Sequence, residues 1–163
     1  MEQHNGAIFH ANATMLDKLD SMQKRFLDEI GMNEQEAFLK CNFATPALRR
    51  NIGILGLLHK RVLGKCHPIF QRLLPFHRDI FGSLRPAEHD RQLYGHIMEV
   101  DRQQGLHDRS IFAMVYVYNK LPQHAVECND VSSFQRVLTL MVREKCERGD
   151  SDWQLLFSAR CRL

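Results

Sequence analysis

HDRSIFAMVYVYNKLPQHAVECNDVSSFQRVL, residues 107–138, holds an apolar run from Ile111 to Tyr118, a Leu121-Pro122 stop, and a second, amphipathic segment. The run lacks the alternation of a half-exposed strand and falls well short of the ~20 residues a membrane-spanning helix needs. Its Val and Tyr content suits a buried strand, while Asp108 is placed to cap a helix starting at Arg109; the buried helix is the reading adopted. Pro122 closes it, because the residue before proline avoids the helical well and proline donates no backbone hydrogen bond. Asp130 then caps a helix on which Phe134, Leu138, Met141, Val142 and the stem of Lys145 share a face, ending near Gly149.

Earlier in the chain the helical signals repeat. Met15, Leu16, Leu19, Met22, Phe26, Leu27 and Ile30 fall within one arc of about 140° at 100° per residue, so a helix runs from Asn12 to Ile30 and stops at Gly31. Asn33 with Glu36 forms a capping-box pattern for a short helix to about Asn42. Thr45-Pro46 opens the next, since threonine caps free amides and proline at the first helical position loses an N–H that had no partner. It runs to about Leu63 and ends at Gly64, with Leu48, Ile52, Leu55, Leu58 and Val62 on one side, Arg49 and Lys60 opposite, and Gly53 and Gly56 between. Those glycines admit either a phosphate or another helix, and helix packing is the expectation. His67-Pro68 starts a short helix through Leu74. Residues 75–107 carry no sustained periodicity, although Gln92 to Val100 has the pattern of a short extended piece.

The fold class expected is therefore all-α: an irregular helical bundle with a long loop-rich insertion at about 75–107. Residues 1–12 read as a disordered start, 13–148 as a single helical domain, and 149–163 as a frayed tail in which Trp153, Leu156 and Phe157 suggest a last helical turn or two. At 163 residues and 44% hydrophobic content the chain suits one domain with a real core. With no spanning run and no basic leader after Met1, it reads as a soluble, non-exported protein.

Chemistry is sparsely advertised. Cys41, Cys66, Cys128, Cys146 and Cys161 are odd in number and widely spaced, which implies reduced thiols and no metal centre. His59, His67 and His77 match no local ligand pair and read as surface or packed imidazoles. Asp17 and Asp20 sit beside Lys18 on what reads as a solvated face. No nucleophile elbow, phosphate loop, zinc helix or dinucleotide glycine pattern occurs, so no enzyme and no cofactor are expected.

Charge is unevenly spread. Residues 37–78 contain eight Lys and Arg and no acid, which leaves the remainder at −5 within a total of +3. Arg49, Arg50, Lys60, Arg61 and Lys65 are the expected outward ridge, able to hold an RNA or DNA backbone by displacing its counterions without reading sequence. Basic residues that merely solubilise an apolar helix are the competing explanation.

Within residues 110–138, Tyr118-Asn119-x-Leu121-Pro122 followed by Phe134-Gln135 resembles a signature seen after the polymerase core of jockey-like non-LTR retrotransposon reverse transcriptases. Residues 16–31, with Leu19, Gln23 and Leu27 spaced four apart, resemble a preceding helix, as do Arg49-Arg50 and Leu57-Leu58-His59-Lys60. Order and spacing agree over about residues 10–145. The resemblance implies the thumb and post-thumb part of such an enzyme, which helps hold template and primer. The palm aspartates, the endonuclease and the cysteine-histidine knuckle have no counterpart here, so a non-catalytic remnant or a host protein derived from one is implied. The alternative expectation is a helical interaction module in which the apolar faces of residues 109–146 dock onto a polymerase body or onto a second copy.

Overall fold

The computed structural model describes residues 9–81, 88–95 and 110–159, with Phe81 by its backbone alone. Among them are eight α-helices: α1 Ala13–Glu29, α2 Glu34–Cys41, α3 Pro46–Val62, α4 Pro68–Leu73, α5 His77–Phe81, α6 Ile111–Asn119, α7 Gln123–Val126 and α8 Val131–Glu147, then a 3-10 turn at Trp153–Leu155. The all-α expectation holds.

The caps follow the local sequence closely. Asn12 Oδ1 accepts from Met15 N at 2.9 Å, Asn33 and Glu36 form the reciprocal capping box, Thr45 Oγ1 accepts from Leu48 N, and Asp130 Oδ1 accepts from Ser133 N at 2.8 Å. Past the end of α3, Gly64 has a φ of 71°, which lets Lys65 N reach back to Lys60 O at 3.0 Å. That left-handed turn satisfies a terminal carbonyl at no steric cost to glycine.

Helix α3 is the hub. It packs against α8, α6, α1 and the 3-10 turn, while α2 bridges α1 and α8. Its Leu48, Ile54, Leu55 and Leu58 are fully enclosed together with Met114, Tyr118, Phe134, Leu138 and Val142. Helix α6 buries Ala113, Met114, Val115 and Tyr118, which settles Ile111–Tyr118 as helix. A lone buried strand would leave its amides unpaired, whereas a helix satisfies them internally. Gly56 explains how α8 comes so close to α3, since a Cβ there would stand 2.5 Å from Gln135 Nε2 and 3.2 Å from Val131 Cγ1.

Several expectations need correction. Phe9 packs in the core, only 3% exposed, and the exposed Asn12 is the α1 cap, so the described end of the expected disordered start is part of the fold; residues 1–8 lie outside the described part. Helix α6 begins at Ile111 behind Ser110, and Asp108 and Arg109 lie outside the described residues. Among the described residues of 75–107 stand the helix α5 and a single antiparallel bridge, Phe76 to Leu93, closed by His77 N to Gln92 O and Tyr94 N to Pro75 O. The extended piece is thus a two-residue contact as far as it is described, and positions 96–100 fall outside. The short α7 was not foreseen. Nor is the tail frayed up to Ala159: Trp153, Phe157 and Ala159 are buried, and Trp153 stacks on Phe38 at 5.0 Å. Aromatic area of that size reaches the core whenever a groove admits it.

Candidate interaction surface

Helix α1 has seven apolar residues on one arc, and the core takes only Leu16 and Leu27, along with Gln23. Met15, Leu19, Met22, Phe26 and Ile30 are 44 to 66% exposed. At 100° per residue these five occupy an arc of about 80°, adjoining the arc of Leu16, Asp20, Gln23 and Leu27 that faces the rest of the fold. The helix lies on α3 by its polar-containing side because two hydrogen-bonded links hold it there. Gln23 Nε2 donates to Ala44 O at 3.2 Å while its Oε1 accepts from Arg49 Nη2 at 2.9 Å. One turn away, Arg50 donates both Nη atoms to the two Asp20 oxygens at 2.7 Å. Asp20 is therefore the counter-ion of α3 and not part of a solvated face.

The seam continues onto neighbouring elements. Phe26 meets Phe43 edge-on at 6.3 Å between centroids, and the Arg49 guanidinium lies 5.5 Å over the Phe43 ring. On the far margin Lys18 and Arg25, one heptad apart, are exposed with no acidic partner within ion-pair distance among the described residues; Glu29 is the acid on that margin.

The five cations expected to form a ridge are not gathered. Arg50 is 6% exposed and spent on Asp20. Arg61, equally buried, lies 4.2 Å over Phe76, gives one Nη2 bond to Gln71 O at 3.4 Å and leaves its Nε without a partner. Burial pushes its pKa down, against the smaller opposing pull of Cys66, Asp79 and Tyr118. Arg49 is half-buried on Gln23 and Phe43. Lys60 and Lys65 remain exposed, and Lys65 Nζ donates to Asn129 O at 3.1 Å. The physical reason is the hub position of α3: neighbours on several sides enclose even its polar positions.

The signature residues, by contrast, do converge. Tyr118 Oη donates to His59 Nδ1 at 3.0 Å, His59 Nε2 donates to Cys128 O at 2.8 Å, and the imidazole stacks on Phe134 at 4.1 Å. The carbonyl partner requires a proton on Nε2, and the neutral ring that burial favours then accepts at Nδ1. Burial lowers the His59 pKa, the bond to Cys128 O opposes that, and burial raises the Tyr118 phenol. Asn119 holds Leu93 by both backbone groups, accepting from its N at 2.9 Å and donating to its O at 2.8 Å. Leu121 is buried, Pro122 caps α7, and Gln135 Nε2 reaches Ile52 O at 3.4 Å. All of these are internal supports. Gln23, part of the spaced Leu19, Gln23 and Leu27 element, belongs with them; His89, which donates from Nε2 to Tyr118 O at 3.1 Å, was missed, since it acts on a partner more than 20 residues away and has no local sequence mark.

Cys41, Cys66, Cys128 and Cys146 are free thiols, and among the described residues no group of three or more His, Cys, Asp or Glu is disposed to hold a metal. No described helix is long and apolar enough to cross a membrane. Comparison with family models, with curated proteins and with solved structures finds no match to this chain.

Proposed function

We propose that the chain is a non-catalytic helical docking module, descended from the thumb and post-thumb part of a non-LTR retrotransposon reverse transcriptase, and that its docking face is the α1 seam. The observation that carries the docking role is the exposed row Met15, Leu19, Met22, Phe26 and Ile30, an apolar strip four turns long on a helix hydrogen-bonded from behind through Gln23 and Asp20. Contiguous apolar surface of this kind marks an interaction site. The α6 and α8 faces first expected to dock are used internally, in Tyr118, Phe134, Leu138 and Val142. The ancestry rests on the resemblance, and it is supported by the way two of its separate pieces, Leu57 to Lys60 and Tyr118 to Gln135, meet at His59.

Titration of the labelled full chain with a synthetic amphipathic helix, Leu at its seam and Gln on both margins, tests the docking role. Chemical-shift changes should concentrate on α1 and vanish in Met22→Glu. Shifts spread over the molecule, or none, would refute it.

A second reading, backbone binding to RNA or DNA, is favoured by Lys60 and Lys65, the two of the five expected cations that are exposed. Anisotropy with labelled single-stranded RNA at two salt concentrations should then give a nonspecific Kd of ~10⁻⁴ to 10⁻⁶ M and a log–log salt slope of about −1.4, against about −3.5 if all five cations met phosphates.

A further inference from the structure

We infer that the occupant of the α1 seam is an amphipathic helix of another protein whose apolar stripe is edged with Asp or Glu; the inference rests on the docking reading above. Three features carry it. First, the exposed apolar residues recur at spacings of four, three, four and four, the pattern that interlocks with a facing helix, and they span 16 residues, about 22 Å of helix axis. A partner helix of about four turns covers that length.

Second, both margins carry cations. Lys18 and Arg25 line the outer margin one heptad apart, about 10 Å along the axis, and the half-buried Arg49 lies on the inner one beside Phe43. Arg49 is bonded to a neutral amide, and Lys18 and Arg25 have no acidic partner among the described residues. Glu29, near the C-terminal end, is the exception on the outer margin. Carboxylates spaced seven residues apart on a partner would pair with Lys18 and Arg25 in turn.

Third, a second copy fits poorly. The inner margin is already closed by α3 and Phe43, so an incoming helix must lie over the seam and the outer margin. Antiparallel self-pairing about Met22 would set Lys18 against the Arg25 of the other copy. Parallel self-pairing would bring Lys18 and Arg25 towards the other copy's Arg49. Either arrangement places cation on cation, which selects against the homodimer. An anionic membrane is the less suited alternative, because the strip is narrow and Glu29, Asp17 and Asp28 flank its polar side.

The test uses the full chain and three labelled helical peptides with one Leu seam, bearing Glu, Gln or Lys on their margins, read by fluorescence anisotropy. The Glu-edged peptide should bind at least tenfold more tightly than the Lys-edged one, with the Gln-edged peptide between them. Lys18→Glu combined with Arg25→Glu should reverse the order, and Met22→Glu should abolish binding of all three. These exposed substitutions should leave the circular-dichroism melt unchanged, which separates lost binding from lost folding. Equal binding of the three peptides would overturn the acidic partner while leaving a docking role intact. No binding of any peptide would overturn both. Sedimentation showing a seam-dependent dimer, or uptake by vesicles containing phosphatidylserine that exceeds peptide binding, would likewise replace the acidic helix as the occupant.

Discussion

At the scale of single residues the most consequential group is His59, enclosed between α3, α6 and α8 with both ring nitrogens committed. Burial lowers the native pKa of His59 and of His89 below the ordinary 6.5, so below that pH the unfolded chain binds more protons than the native one. Stability is therefore fully present above about pH 6.5 and is lost as the pH falls towards the native values. Charged groups facing His59 act in both directions, Arg91 and Lys65 against protonation and Asp130 for it. Urea denaturation at pH 7.5 and 5.5 should show the midpoint dropping at the lower pH, while the His59 and His89 ring resonances stay neutral at pH 6.5. The Arg50–Asp20 pair gives a second prediction. Asp20→Ala strands a buried guanidinium and should cost about 2–3 kcal/mol, below the range for a fully buried pair because the carboxylate is 30% exposed. Gly56 gives a third: Gly56→Val drives its side chain into Gln135 and Val131 and should lower stability by ~1–3 kcal/mol in the same assay.

At the scale of elements, α1 separates two kinds of apolar residue that its sequence presents alike. Leu27→Ala empties a filled site and should cost about 2–5 kcal/mol, whereas Met22→Glu on the exposed seam should stay within about 0.5 kcal/mol of wild type. Equal losses at the two positions would mean that the seam is covered in the folded chain. The contrast also marks what the sequence discloses about a helix. Asn12, Asn33, Thr45 and Asp130 each announce a start that the structure uses, because capping is a contact between residues three apart. Which side of a helix turns inward is a contact between distant segments, and for α1 it was decided by Gln23 and Asp20 meeting Ala44, Arg49 and Arg50.

Across the whole molecule, distant segments are latched by polar bonds as well as by the core. Gln35 donates to Cys146 O, Arg143 to Leu39 O at 2.7 Å, and Gln154 to Glu34 at 2.7 Å, tying α2 to α8 and the 3-10 turn. Trp153, the chain's one tryptophan, sits inside this arrangement on Phe38. Its fluorescence should report the same unfolding midpoint as far-ultraviolet circular dichroism, since the tail shares the core. Trp153→Ala should cost about 3–5 kcal/mol. A tryptophan signal that changes well before the helices melt would show the tail to be an independent, weaker unit.

By itself the sequence determined six of the eight described helices, most of their ends, and the apolar segment Ile111–Tyr118 as a helix with a buried side, because caps, glycine stops and proline breaks act over three or four residues. The tertiary structure alone decided which side chains face water. Enclosure of α3 withdrew Arg50 and Arg61 from the expected cationic ridge, and the hydrogen bonds made by Gln23 and accepted by Asp20 turned the apolar side of α1 outward. Exposure depends on what packs against a residue from 10 to 120 positions away, and no local pattern carries that information.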